Sequence, residues 1–128
     1  MNQMKDVALF LLRVGFSLLM ILEHGWKKMM GFESIAPNFP DPLGVGSTLS
    51  LALAVAGEVF FPVLIIVGFY TRLASIPAAF TMVVAAFIVH AGDSLKDRES
   101  ALMYLIAFVA IGLLGPGRIS IDRFRKGQ

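Results

Sequence analysis

Residues 51–70, LALAVAGEVFFPVLIIVGFY, form an apolar run whose one acidic or basic side chain, Glu58, lies near the middle. About 20 residues at ~1.5 Å per residue cross ~30 Å of hydrocarbon, so the run predicts a transmembrane helix with Glu58 near the bilayer centre. A carboxylate at that depth is costly unless it is protonated, paired or hydrated, and it marks a candidate functional site. The rest of the chain is therefore expected to supply a partner for Glu58.

The composition also indicates a membrane protein. The 128-residue chain is 57% hydrophobic and 16% charged, whereas soluble domains average roughly 45–50% and 25%. The net charge is +2, and the basic residues lie in loops and near the C-terminus rather than in one patch, which argues against a nucleic-acid partner. The chain has no cysteine, which excludes dithiol chemistry, thiolate-bound iron–sulfur clusters and disulfides within it.

Hydrophobic runs and their breakers predict four transmembrane spans in a single domain over residues 1–128. Arg13 interrupts the first run and no small-residue cleavage site follows, so this run is expected to be an uncleaved helix rather than a signal peptide. The predicted fold is an all-α integral membrane four-helix bundle. A long connection over residues 25–47 is expected to cover one end of it. The predicted spans are 7–24, 48–70, 73–91 and 99–114.

Four spans place both termini on one side of the membrane. That side would carry six of the basic residues in the connections and tails, and the opposite side would carry four. The positive-inside rule therefore favours cytoplasmic termini in a multi-pass protein of a bacterial or archaeal inner membrane.

The first span is predicted to turn a polar face towards the other helices. Positions 13, 17, 20, 24 and 27 to 28 share one helical face, and Arg13, Ser17, Met20, His24 and Lys27 form its polar seam. At ~1.5 Å per residue, Arg13 lies about 10 Å and Glu58 about 18 Å from the boundary on the termini side. An arginine side chain spans most of that difference, so an Arg13–Glu58 ion pair or water-mediated contact is expected.

The same topology predicts a polar cluster at the opposite end of the bundle. His24 ends the first span, His90 ends the third, and Glu99 opens the fourth, so the three are expected to meet beneath the long connection. Lys28 lies next to them in the sequence.

Each of these groups also has a purely structural interpretation. An Arg13–Glu58 pair could only fix the helix register, the histidines could bind headgroups or loop carbonyls, and Tyr104 could be a packed aromatic rather than a proton donor. A zinc or iron ion on His24, His90 and Glu99, or a haem between the histidines, is chemically feasible. The sequence has no ligand spacing that favours either, so no metal is predicted.

Several ordered motifs resemble the DoxX family over nearly the whole chain. They are 24–28 (HGWKK), 68–72 (GFYTR), His90 at the end of the third span, and 115–122 (GPGRISID). The resemblance implies a small inner-membrane four-helix bundle related to a subunit associated with thiosulfate:quinone oxidoreductase, and to members of thiol and oxidative-stress complexes that include soluble partners. It also implies that the recurring polar positions are Arg13, His24, Lys28, Glu58, Arg72, His90, Glu99 and Asp122.

Three functions follow as hypotheses. The first is a quinone-interacting, or otherwise non-catalytic, membrane subunit of an oxidoreductase, with its electrons supplied by a soluble partner subunit. His24 or His90 would donate to a quinone carbonyl, and Glu58 or Glu99 would relay protons, with Tyr104 near the relay. The second is a scaffold or anchor without redox chemistry. The third is a small proton-coupled carrier that uses Glu58, for which four spans without a repeat would require a homo-oligomer.

Overall fold

A computed structural model describes residues 3–125, which form helices joined by turns. No strand occurs within these residues, and the predicted all-α membrane fold is confirmed. Within these residues, four long helices are accompanied by two short α-helices and by a 3-10 turn at Ala36–Asn38. Their bounds are α1 Gln3–Met30, α2 Phe32–Ile35, α3 Ser47–Val67, α4 Thr71–Val89, α5 Leu95–Leu114 and α6 Ile121–Arg125.

The four long helices pack in a ring in the order α1, α3, α4, α5, which closes because α5 also contacts α1. The start of α1, the α3–α4 turn and the chain after α5 meet at one end of the ring. There the Asp122 N–H donates to the Gly68 carbonyl at 2.8 Å, and the Arg118 N–H donates to Asp6 Oδ1 at 3.3 Å. Both ends of the described chain therefore lie at this end, which we call the termini end.

The exterior of the bundle is strongly apolar, and several polar side chains are buried within its largely apolar core. Arg13, Ser17 and Glu58 are buried, whereas Leu113 and Ile106 are 77% and 69% exposed. By length and composition, α1, α3 and α4 can each cross a membrane. Helix α5 is of similar length but has a run of four charged residues, 96–99, near its start. An apolar exterior with the ionisable side chains kept inside the bundle is expected for a protein in lipid.

Small side chains let the helices approach closely. Ala74, Ala78 and Ala86 of α4 and Ala101 of α5 are all buried in the same core cluster. Gly57 of α3 packs directly on the Thr81 side chain of α4, where a methyl group would not fit. Such small-residue contacts replace the hydrophobic driving force that is missing between helices in lipid.

Three of the long helices contain a π-helical turn: Ile21–Gly25 in α1, Ala56–Phe60 in α3 and Ala85–Val89 in α4. A π turn inserts a residue into the helix and shifts the face that follows it. In α1 it turns Lys28 rather than Lys27 towards the bundle, and Lys27 is exposed. The helix continues to Met30, six residues beyond the predicted end of the first span.

Candidate functional site

The central feature of the site is an ion pair between Lys28 of α1 and Glu58 of α3. Lys28 Nζ lies 2.9 Å from both carboxylate oxygens of Glu58. The Glu58 side chain is 5% exposed and that of Lys28 is 30% exposed. The lysine thus neutralises the buried carboxylate while its own side chain reaches a wetter region, which lowers the cost of a charge at this depth.

A glycine brings the two helices together at this pair. A Cβ atom on Gly25 would lie 2.7 Å from the Glu58 carbonyl oxygen and 2.5 Å from Val59 Cγ2. The contact joins the π turn of α1 to the π turn of α3. Pro62 supplies no N–H to the Glu58 carbonyl four residues earlier, so the local distortion of α3 has a covalent cause. The residue at position 25 must therefore be glycine for the site to keep this geometry.

An apolar cavity of about 280 Å³ lies on one side of the ion pair. Helices α3 and α4 form its walls with Leu53, Phe61 and Phe80, and the long connection covers it with Phe39 and Leu43. Its polar groups are concentrated where Lys28, Glu58 and His90 meet it, and the Ser50 and Thr81 side chains also line it. The volume is near the lower limit of typical small-molecule sites, and the combination of apolar walls and few polar groups is typical of them.

A smaller polar cavity of about 100 Å³ lies on the other side of the pair. His24, Tyr104, Asp97 and Ser100 line it, together with the same Lys28, Glu58 and His90. The rings of His24 and Tyr104 meet edge to face, with centroids 5.4 Å apart. The ion pair and His90 therefore form a common wall between an apolar chamber and a polar one.

His90 connects this wall to the protein surface. Its Nδ1 lies 2.7 Å from Asp93 Oδ2, and both side chains are more than a third exposed. An imidazole held by a surface carboxylate can exchange protons with water. The ion-pair site, meaning Lys28, Glu58, His24, His90 and Tyr104, thus combines a cation, a carboxylate and imidazoles beside space for an apolar ligand.

A second polar group, the arginine cluster, lies at the termini end and consists of Arg13, Arg72 and Asp122. Arg13 is 1% exposed, and its guanidinium donates to four backbone carbonyls. Nε donates to Ile65 at 3.0 Å and Nη2 to Ile66 at 2.8 Å, while Nη1 donates to Pro116 at 3.0 Å and Ile119 at 2.7 Å. The first two carbonyls belong to the last turn of α3, where the Ile65 carbonyl also accepts the Gly68 N–H at 3.1 Å.

Asp122 organises the turn between α3 and α4. Its Oδ1 accepts from the Tyr70 N–H at 2.7 Å and its Oδ2 from the Thr71 N–H at 2.8 Å. Gly68 and Tyr70 in that turn have left-handed backbone conformations, with φ of 75° and 49°. Arg72 lies over Gly115, where a Cβ would be 2.9 Å from Nη2. The 68–72 and 115–122 motifs therefore contact each other and together stabilise the turn between α3 and α4.

The expected Arg13–Glu58 contact was wrong. Arg13 binds carbonyls at the termini end, and Lys28 pairs with Glu58 instead. The predicted connection over residues 25–47 includes Lys28, and only the continuation of α1 through its π turn brings Lys28 to Glu58. The absence of any proline between residues 24 and 30 was the available signal for that continuation.

The expected cluster of His24, His90 and Glu99 forms only in part. The two histidines line one cavity, but Glu99 is exposed, and Asp97 and Ser100 occupy the place expected for it. The reason is that α5 begins at Leu95, so residue 99 is already one turn into the helix and points outward. Within residues 3–125, no three histidine or carboxylate side chains are placed to share a metal ion.

Comparisons with known proteins identify relatives along almost the entire chain. A model of the DoxX family matches residues 8–91. The inner membrane protein YphA of Escherichia coli K12 is 30% identical, over 93% of this chain and 91% of its own. The inner membrane protein YqjF of the same organism is 26% identical, over 96% and 95%. An uncharacterised protein of Haemophilus influenzae is also 26% identical, over 96% and 92%. No solved structure matches the chain.

Proposed function

The chain belongs to the DoxX family and is an inner-membrane protein, and we propose that it serves as the quinone-interacting membrane subunit of an oxidoreductase or redox-stress complex. The main observation in support of this proposal is the apolar cavity of about 280 Å³, which is lined at one end by Lys28, Glu58 and His90. An apolar chamber with a few convergent polar groups suits a flat ring that bears two carbonyl oxygens and an isoprenoid tail.

The residues around the cavity fit the needs of such a ligand. The Lys28 ammonium has three donors, and the Glu58 carboxylate accepts two short contacts from it. A third N–H of Lys28 is therefore available to a carbonyl oxygen in the chamber. His90, which also lines the chamber, is the second candidate donor and connects to water through Asp93.

A quinone bound there would accept two electrons and two protons to become a quinol. The protons have a route through chain residues, from water to His90 and from the polar cavity to Glu58, with Tyr104 and His24 beside that cavity. The electrons need an outside source because the chain has no cysteine to hold a cluster or a dithiol. The proposal therefore includes a soluble oxidoreductase subunit that supplies the electrons. It is also compatible with a homo-oligomer of this chain.

Binding of a short-tailed photoreactive quinone is the direct test. The protein would be labelled in detergent and the adducts mapped by peptide mass spectrometry. We expect labelling within residues 53–61 and 77–85, which line the chamber, and competition by unlabelled decylubiquinone. Glu58→Gln should weaken labelling several-fold, whereas Glu33→Gln, the same change at an exposed site in α2, should not. Labelling scattered over the lipid-facing surface, or unchanged by Glu58→Gln, would refute the quinone site.

A scaffold or anchor without redox chemistry is the second candidate, and the observation that favours it is that Lys28 and Glu58 join α1 to α3. Extraction from the native membrane in mild detergent separates the two functions. A stoichiometric quinone or an oxidoreductase subunit in the purified complex would support the first. A partner without redox groups, and no quinone, would support the second. A proton-coupled carrier, the remaining alternative, would instead acidify or alkalinise the lumen of protein-containing liposomes.

The proposed orientation has both termini in the cytoplasm, as the distribution of basic residues favours. Fusion of green fluorescent protein to the C-terminus should give fluorescent cells, whereas fusion of alkaline phosphatase should give inactive enzyme. The opposite pair of results would reverse the orientation.

A further inference from the structure

The polar cavity of about 100 Å³ beside the ion pair is lined by side chains with unused hydrogen-bonding capacity. Four of them make no hydrogen bond to another residue within 3–125: His24, Asp97, Ser100 and Tyr104. Tyr104 is 8% exposed, so the cavity is where its hydroxyl can meet a partner, as buried tyrosine hydroxyls usually do. The lining therefore suits a ligand that both donates and accepts hydrogen bonds.

The charges around the polar cavity favour water over an ion. The ionisable side chains that line it are His24, Lys28, Glu58, His90, Asp97 and Tyr104. The Lys28 cation is paired with Glu58, and Asp97 adds a second carboxylate, so a free anion would be repelled. One water molecule needs at least ~10–15 Å³ of cavity volume and two to four polar partners, so the cavity has room for several.

The polar cavity opens at the end of the bundle opposite the termini end. We call it the cap end, where α1 ends at Met30 and α5 begins at Leu95. Asp97 and Ser100 lie in the first two turns of α5, and both are exposed as well as lining the cavity. The His90 side chain, on another wall, is 40% exposed. Water at the cap end therefore meets the polar lining directly.

An apolar layer closes the cavity on the side of the termini end. Each long helix contributes to it one side chain that is 0% exposed and lies one or two turns beyond a cavity residue: Met20 in α1, Ile65 in α3, Ala78 in α4 and Phe108 in α5. All four belong to the same core cluster. Close packing leaves little space between such side chains, and a water molecule there would lack polar partners.

We propose that the polar cavity is a water-filled proton inlet, open at the cap end and closed at the apolar layer, through which Glu58 exchanges protons with one side of the membrane. Water enters past Asp97 and Ser100, and the His24 and Tyr104 side chains hydrogen-bond it beside the ion pair. The consequence for the reaction rests on the proposed function. A quinone that takes two electrons from the partner subunit would draw both of its protons from the cap side.

Silver ions, which are small, hydrophilic and reactive towards thiols, test the inlet in a chain that has no cysteine of its own. The variants His24→Cys and Ala101→Cys place a thiol in the cavity, and the second keeps every polar side chain. Lys96→Cys and Arg118→Cys mark the exposed surfaces of the cap end and the termini end. Silver nitrate is added to spheroplasts or to inverted membrane vesicles, and the remaining free thiols are labelled with a maleimide in detergent.

We expect silver to abolish maleimide labelling of both cavity thiols in the preparation in which it does so for Lys96→Cys, and to spare them in the other. Ser17→Cys is the matched control, because Ser17 is fully buried in the same helix as His24 but on the other side of Met20. It should keep its labelling in both preparations.

Three results would overturn the inlet. Reaction of a cavity thiol from the side marked by Arg118→Cys, or of Ser17→Cys from either side, would contradict closure by the apolar layer. Protection of both cavity thiols in both preparations, with Lys96→Cys reactive, would contradict a water-filled cavity. Since no quinone is used, failure of the inlet and failure of the quinone site are distinguishable.

Discussion

The two polar groups inside this bundle bury their cations in different ways. At the termini end, Arg13 uses its guanidinium to bind four backbone carbonyls, and Asp122 binds two backbone N–H groups. In the ion-pair site, Lys28 and Glu58 bind each other beside two cavities. A buried charge whose hydrogen bonds go to backbone groups stabilises the fold, whereas a charge pair at a cavity wall can also bind a ligand in that cavity.

The largest effect is expected where backbone groups depend on one side chain. Arg13→Leu leaves four carbonyls without this donor, and we expect a loss of about 3 kcal/mol or more of unfolding free energy. Titration with sodium dodecyl sulfate, followed by circular dichroism, measures it. Arg72→Gln is the control because it removes an exposed arginine at the same end, and it should cost less than about 1 kcal/mol. Equal losses would show that the hydrogen bonds of Arg13 to the four carbonyls do not account for its stabilising effect.

A smaller loss of unfolding free energy is expected at the ion pair, and a second substitution should partly restore it. Lys28→Met leaves the Glu58 carboxylate without its partner and should cost about 1–3 kcal/mol, since the lysine is partly exposed and water can enter. The double variant Lys28→Met/Glu58→Gln removes both charges and should be more stable than Lys28→Met alone. The same unfolding titration decides this. If the double variant loses as much as the sum of the single variants, the pair does not act as a unit.

The approach of α1 to α3 can be disturbed without changing any charge. Gly25→Ala places a methyl group 2.7 Å from the Glu58 carbonyl oxygen, and such overpacking should cost about 1–3 kcal/mol and weaken quinone labelling. Gly15→Ala in the same helix meets no atom within 4 Å, so it should be neutral or stabilising by up to about 1 kcal/mol. Unfolding titrations of the pair make the comparison. Equal effects of the two alanines would disprove the tight contact.

The smallest effect concerns the connection that covers the apolar cavity. The Ser50 hydroxyl and the Gly46 and Val45 N–H groups donate to Asp41, and these hydrogen bonds lower the pKa of that carboxyl below its ordinary value. A depressed folded pKa contributes stability above the unfolded pKa of about 3.9. That stability is lost as the pH falls through the folded pKa.

Hydrogen exchange at the Val45 and Gly46 amides, corrected for intrinsic rates, measures this contribution. Protection should fall below about pH 4 in the unmodified protein. In Asp41→Asn, which cannot titrate, protection should be weaker at neutral pH and should change little on acidification. A response of the variant identical to that of the unmodified protein would assign the pH dependence to other groups.

Hydrophobic run lengths were enough to predict the membrane class, the helices and the burial of Arg13 and Glu58. The bounds of α3 and α4 differ from the prediction by only a few residues, because apolar length and turn residues are local properties. The candidate site was predicted less well. His24, Lys28, Glu58, His90 and Tyr104 were all named, but their contacts were not, and Glu99 was placed wrongly.

The sequence by itself determined that polar side chains would be buried in a helical bundle, since lipid excludes them from its exterior. Only the tertiary structure decided which polar groups meet. The end of α3 at Val67 leaves carbonyls that attract Arg13, and the π turn in α1 rotates Lys28 towards Glu58. Neither effect has a strong local signal, because helix phase and unpaired carbonyls arise from how distant segments pack.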